Sequence, residues 1–267
     1  MIMRMRKGIL IRNLILTATL ALFQAGYLSA APFDNPIISI IIDDIGYRYH
    51  DDLAAINLPG QISYAVMPHS PHSEKISKLI AASGRDVILH LPMEAIEDKN
   101  NRYLGPGALK LDMDKMKFIT TLTASIESIP NIIGVNNHMG SLLTMHTGRM
   151  EWLMDYLSTN NIFYVDSVTN RLSVAGSVAK KMNLPYIKRD VFLDNTKEID
   201  YITTQFDDLI KKAKRKGKAV AIGHPHPQTI TALSRILPEL DRYGVKLISI
   251  SEMVQRQDRN LIKASYD

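Results

Sequence analysis

The chain has 267 residues, 46% of them hydrophobic, and no cysteine, which excludes disulfides, thiolate metal sites and a cysteine nucleophile. Its 32 basic and 27 acidic side chains give a formal charge of +5, but Arg4, Arg6, Lys7 and Arg12 lie in the first thirty residues, where there is no acidic residue. The remainder, 28 basic against 27 acidic, is nearly neutral, so the electrostatic footprint of a nucleic-acid binder is missing.

In chain order, the first feature is an export signal over residues 1–30. The four basic residues open it, Leu14 to Phe23 form its apolar stretch, and Ser29-Ala30 give a small-residue exit. Cleavage is expected after Ala30, because Pro32 disfavours the next bond. The expected product is periplasmic or secreted, touching a membrane only through the signal. The rival is an uncleaved anchor, for which the apolar run is short.

After a Pro-containing lead, short apolar runs alternate with helical patterns. The strand candidates are 37–42, 61–66, 86–89, 132–135, 162–165, 185–188, 219–222 and 246–250. Most lack polar alternation, as parallel strands covered on both faces do. Residues 113–129 carry the helical period through Met116, Ile119, Leu122, Ile126 and Ile129, behind Asp112 as N-cap. Helices are also expected over 149–159, 174–183, 198–216 and 228–243. The basic run Lys211 to Lys218 reads as a solvated helix end stopped by Gly217. Seven or eight such units predict an α/β fold, a closed or nearly closed β/α barrel over 31–254, with a doubly wound open sheet as the alternative. Residues 255–267 read as a polar tail. The connection from His90 to Asp112 is long and aperiodic, which marks a functional loop; its Gly105-Pro106-Gly107 is no phosphate cradle, since Pro106 lacks an N–H.

The chemistry collects after the strands. Asp43-Asp44 end the first, and His90, His138 and His224 stand at or just beyond the ends of three others, with all eight histidines in segments that follow strands. Carboxylate plus imidazole suits a divalent metal, and strand ends are where a barrel gathers such groups. One aspartate of the pair can bind metal while its neighbour takes a proton from water. His90 and Glu94, with Pro92 between them, are expected on a rigid turn; Glu94 is a ligand, a substrate contact or a support for the ligands. In Asn136-Asn137-His138 the imidazole is a ligand or substrate candidate. His224 and His226 each precede a proline and are held extended, and His224 is the better candidate for a general acid. Asp166 orients that histidine, binds substrate or caps a helix.

With these residues in view, the chain resembles the divergent polysaccharide deacetylases of the YibQ type, a branch of the NodB-homology carbohydrate esterases, over 37–254. The matching stretches are Ile42-Asp43-Asp44-Ile45-Gly46, His90-Leu91-Pro92-Met93-Glu94, Gly105-Pro106-Gly107-Ala108-Leu109, Gly134 to Ser141, Asp190 to Asn195 and Gly223 to Pro227. The resemblance implies an irregular (β/α)7 barrel, a divalent metal and removal of N-acetyl groups from envelope glycans. It implies Asp43 as base and Asp44 as ligand. The family's second motif, His-Ser/Thr-x-x-His, has its counterpart in His90 to Glu94, with a carboxylate for the second imidazole and His138 as candidate for the missing nitrogen.

The expectation is thus a zinc-dependent hydrolase acting on an acetylated glycan, with Asp44, His90 and His138 on the metal, and Asp43 and His224 as base and acid. Glu94, Asn137, Asp166 and His226 are expected to touch substrate or support the ligands. The runner-up is a non-catalytic glycan-binding or envelope-partner protein on the same barrel; a third is a metal-dependent esterase or amidase for another acyl group.

Overall fold

The computed structural model describes residues 36–264. The export signal and its cleavage point lie outside the described residues. Nine strands and ten α-helices follow one another: β1 (Ile37–Ile45), α1 (Tyr49–Ile56), β2 (Ser63–Val66), α2 (Ser73–Ala82), β3 (Val87–Met93), α3 (Asp98–Asn101), α4 (Lys115–Glu127), β4 (Ile132–Met139), α5 (Thr147–Thr159), β5 (Phe163–Asp166), α6 (Ala175–Lys181), β6 (Tyr186–Lys188), β7 (Val191–Phe192), α7 (Ile199–Lys216), β8 (Lys218–Gly223), α8 (Pro227–Ile236), α9 (Leu240–Tyr243), β9 (Lys246–Leu247) and α10 (Ile250–Ala264).

All paired strands are parallel, in the order β6-β5-β4-β3-β2-β1-β8-β7, with β9 on the lower end of β1. The two ends of this order are one piece of chain, since only Arg189 and Asp190 separate β6 from β7. Arg189 N–H donates to Asp166 O on β5, and Asp190 N–H donates to Val220 O on β8. The circuit therefore closes through the covalent chain, and β6 with β7 counts as one broken stave. The result is an irregular seven-stave β/α barrel.

Strand alternation divides the side chains into two layers. Ile38, Ile40 and Ile42 of β1 pack outward into a core shared with Leu122, Leu153, Phe206 and Leu233 of the helices. Ile41, Ala65, Ile88, Val165, Val220 and Ile222 point inward, and Ile250, Met253 and Val254 of α10 pack with them to stopper the lower end. Gly134 faces the same interior, where an added Cβ would lie 2.3 Å from the Phe163 ring; the ring occupies the space a side chain would need.

Strands β1, β3 and β4 run further than the apolar runs predict, through Asp43-Asp44, His90 to Met93 and Asn136 to His138. His90 therefore stands inside a strand and not on a turn. Pro92 is tolerated there because β2 ends opposite Leu89, and its carbonyl then accepts from Leu109 N–H of the following loop. The helix after that loop is capped by Asp114, whose carboxylate accepts from Lys117 N–H, and not by Asp112. Met116 is 79% exposed, but Leu122 and Ile129 of the expected stripe are buried and Ile119 and Ile126 pack against the core, with Phe118 buried beside them. The segment 228–243 is split at Leu237–Glu239, and 255–264 continues α10 where a tail was expected.

The stopper should be energetically visible. Met253 is fully buried and Met116 is not, so Met253→Ala is expected to lower unfolding free energy by about 2–5 kcal/mol, while Met116→Ala stays within about 0.5 kcal/mol. Denaturant titration of both variants measures the contrast.

Candidate active site

The inward positions above the apolar layer are polar: Asp43 on β1, His90 on β3, Asn136 and His138 on β4, and His224 just after β8. In a regular strand Asp43 and Asp44 would point to opposite faces. The β1–β2 register shifts between Ile42 and Ile45, and Asp44 adopts φ 59°, so both carboxylates turn toward the barrel axis. Gly46 follows at φ 120°, with no room for a Cβ, which would lie 2.1 Å from Ser70 Oγ. Its N–H donates to Asp52 Oδ2 at 2.9 Å, which pins the turn to α1.

Asp44 Oδ1, His90 Nε2 and His138 Nδ1 form a triangle with sides of 3.1, 3.1 and 3.2 Å. Asp44 is 39% exposed at its side chain, yet its Oδ1 is buried and has no well-aligned hydrogen-bond partner. Asn136 sets the protonation of this group. An ionised carboxylate only accepts, so the Asn136 amide donates through Nδ2 to Asp43 Oδ1 at 2.8 Å and offers Oδ1 to His90 Nδ1 at 2.7 Å. His90 then carries a proton on Nδ1 and turns Nε2 inward, toward Asp44 and His138. A tetrahedral cation with bonds of about 2.0–2.1 Å needs donor atoms about 3.3–3.4 Å apart, so this O, N, N set fits a divalent metal closely.

Two further groups face the triangle. Asp43 Oδ2 lies 3.6 Å from His90 Nε2. His224 Nε2 lies 3.8 Å from Asp44 Oδ2, while its Nδ1 is 2.9 Å from Asp194 Oδ1. Asp194 Oδ2 also accepts from the His224 backbone N–H and from Thr229 Oγ1. Burial pushes the Asp43 carboxyl up, against His90, His224 and Asn136. Burial would raise Asp44 too, but the His138 and His90 imidazoles hold it well below the usual carboxylate range. For His224, burial lowers the pKa, but the bond to Asp194 and the Asp44 charge outweigh it and push it up to about 9.

The remaining expected site residues are placed differently. Glu94 stands outside the triangle; its carboxylate accepts from Leu111 N–H at 2.6 Å and clasps the 94–112 loop. Asn137 is buried, with Oδ1 accepting from Tyr164 Oη and Ser167 N–H, so it is a structural brace. Asp166 does not orient His224: its oxygens accept from Val168 N–H, Ser173 Oγ and Tyr186 Oη. That position belongs to Asp194. His226 stacks on His224 at 5.6 Å and faces Arg48 Nη2 at 3.4 Å. Of the other histidines, His146 caps α5. The sequence reading missed Asn136 and Asp52, and left Asp194 without a role; a polar residue at an inward strand position was the available signal for the first.

Asp52 has a titration signature. Burial raises its carboxyl to about 6, against the Gly46 N–H bond that lowers it. A folded-state pKa above the unfolded value of 3.8 means that the folded form binds the extra proton between those limits. The melting-temperature difference between wild type and Asp52→Asn should therefore shift in favour of wild type as pH falls through about 6, and level off below the unfolded value. A pH-independent difference over pH 4–8 would remove Asp52 as a titrating anchor.

Comparison with known proteins identifies the family. The model of the family described as "divergent polysaccharide deacetylase" matches residues 40–254. The chain is 34% identical over 203 residues to the Escherichia coli uncharacterized protein YibQ, covering 76% of this chain and 63% of that one. It is 33% identical over 220 residues to a Haemophilus influenzae uncharacterized protein, covering 81% and 78%. The crystal structure of an uncharacterized Agrobacterium tumefaciens protein superposes with a TM-score of 0.79 at 21% identity, over 88% of this chain and 94% of that one, and shares the fold. The chain belongs to the divergent polysaccharide deacetylase family.

Proposed function

We propose that the protein is a divalent-metal-dependent N-deacetylase of an acetylated amino sugar in an envelope polysaccharide or peptidoglycan, exported to the periplasm by its leader. The observation that carries this reading is the triangle of Asp44 Oδ1, His90 Nε2 and His138 Nδ1, flanked by Asp43 and His224, in a chain of a deacetylase family.

Asp44, His90 and His138 would hold the metal, and two imidazoles with one carboxylate suit zinc. When bound, the metal supplies Lewis-acid polarisation of the acetyl carbonyl and stabilises the charge that develops on its oxygen. Asp43 is the base: Asn136 occupies its Oδ1, so Oδ2 accepts the proton from the attacking water, and its raised pKa makes it a stronger acceptor. His224 is the acid. Asp194 fixes its Nδ1 and favours its charged form, so Nε2 carries a proton aimed at the leaving nitrogen. Acetate and a free amine are the products.

Asp43→Asn keeps size and removes the proton acceptor. Acetate release from chitin oligomers or peptidoglycan fragments should fall by roughly 10²- to 10⁴-fold with zinc content unchanged. Equal release by wild type and variant would remove Asp43 from the mechanism. No release by wild type from any glycan, with binding retained, would favour the non-catalytic runner-up.

Ligands and their support separate in a zinc competition titration. His90→Ala and His138→Ala should each abolish tight binding, and Asn136→Ala, which frees the His90 tautomer, should weaken it by about 10- to 100-fold. Full zinc occupancy in both histidine variants would overturn the ligand set.

A further inference from the structure

The broken stave leaves a gap in the barrel wall. Strand β7 pairs with β8 only at Ala221 and Ile222, so below the Arg189-Asp190 crossing β6 and the lower half of β8 face each other unpaired. A cleft of about 500 Å³ opens there, a volume that suits a small ligand. Its floor is Ile187 and Val220 of the inner apolar layer, reached through the gap. The cleft is separate from the metal triangle: none of Asp43, Asp44, His90, His138 and His224 lines it.

Side chains fix its walls. Asp190 Oδ2 accepts from Val220 N–H at 3.0 Å, and Gln257 of α10 donates through Nε2 to Tyr186 O at 2.6 Å, so edge groups that an added peptide strand would need are already taken. The Tyr186 ring closes over Gly176, where an added Cβ would lie 3.1 Å from it, and its hydroxyl donates to Asp166 Oδ2 at 3.3 Å. Both carboxylates on the walls are satisfied. Asp166 also accepts from Val168 N–H and Ser173 Oγ, and Asp190 Oδ1 accepts from Lys216 Nζ at 2.9 Å. Lys218 is engaged with Gln257. Arg171 and Lys188 line the same cleft, yet their exposed side chains make no ion pair or hydrogen bond among the described residues. The β5–β6 register sets Lys188 opposite Asp166 on one face, and Asp166 is spent on uncharged donors.

We propose that this cleft is a second binding site, for a small organic dianion: a phosphate monoester or a dicarboxylate. Arg171, Lys188, Lys216 and Lys218 line it against Asp166 and Asp190, and the two cations left over are the two without partners. A guanidinium fork matches a carboxylate or phosphate through paired hydrogen bonds, and a lysine adds a point charge beside it. The floor of Ile187 and Val220 takes the carbon skeleton. Such a ligand touches β6 on one side of the gap and Lys216 of α7 on the other, so it ties the barrel wall where no strand pairing does. The site stands independently of the deacetylase reading.

Isothermal titration calorimetry of the full chain tests this with glycerol 3-phosphate and glutarate as probes and glycerol as the neutral control, at about 0.15 M salt, where loose attraction between exposed charges is largely screened. One equivalent of at least one probe should bind and raise Tm, and glycerol should do neither. Arg171→Ala and Lys188→Ala should each weaken binding by about 10- to 100-fold. Their unliganded Tm should match wild type, because both side chains are exposed. His90→Ala, which breaks the metal triangle, should bind the probes as wild type does. Binding of glycerol 3-phosphate alone would make the ligand a phosphate monoester, and of glutarate alone a dicarboxylate. No binding of either probe by wild type, or equal binding by wild type and both cation variants, would overturn the site. Loss of binding in His90→Ala with binding kept in the cation variants would put the anion on the metal and overturn it too.

Discussion

A strand presents successive side chains to opposite faces, so two adjacent carboxylates can share one site only if the strand is interrupted between them. The break in β1 at Asp44 is therefore the constraint on which the site depends. A left-handed aspartate costs on the order of 1 kcal/mol, and the surroundings hold it: Gly46 takes a second left-handed turn, and buried Asp52 grips its N–H. Similar strain recurs at Met139, the last residue of β4, and at Val168 just after β5, at φ 54° and 50°. The Val168 turn is tied by Asp166 to its N–H and by Arg189 to its carbonyl. Strain gathered at strand ends that border one cluster, and braced from several sides, is the usual companion of a functional site.

The barrel makes that bracing affordable in structural terms by separating its interior into two levels. Isoleucine, valine and alanine fill the lower level, stoppered by α10, and contribute packing without polar obligations. The upper level holds Asp43, His90 and Asn136, all nearly or fully buried. Buried polar groups are tolerable only when partnered, and Asn136 partners both neighbours at once. The Asp44 Oδ1 atom is left without such a partner.

Much of this was legible in the sequence. Short unalternating apolar runs marked β1 to β6 and β8, and they ended near the residues that carry the chemistry, so Asp43, Asp44, His90, His138 and His224 could be named before any geometry. What failed was local and physical. Periodicity alone set Met116 with the core, where Leu122 and Ile129 of the same stripe do lie; in the first turn the buried side chain is Phe118 instead. Asp194 and Asp166 each follow or end a strand in β/α units, and only the fold decides which carboxylate meets His224. A two-residue β7 leaves no periodic trace at all.

The position of Glu94 follows the same geometry. Strand β3 ends at Met93, and Glu94 N–H already bonds Leu109 O, so its carboxylate swings to the loop and meets Leu111 N–H, away from the triangle. Strand β4 runs alongside, with Asn136 opposite His90 and His138 opposite Pro92. Residues two apart share a face, so His138 stands one pleat above the Asn136 bridge on the inward side and reaches within 3.1 Å of both His90 Nε2 and Asp44 Oδ1. A nitrogen donor drawn from the neighbouring strand therefore fills a position that a residue beyond the end of β3 does not reach. Glu94 is left free to hold the 94–112 loop through Leu111 N–H.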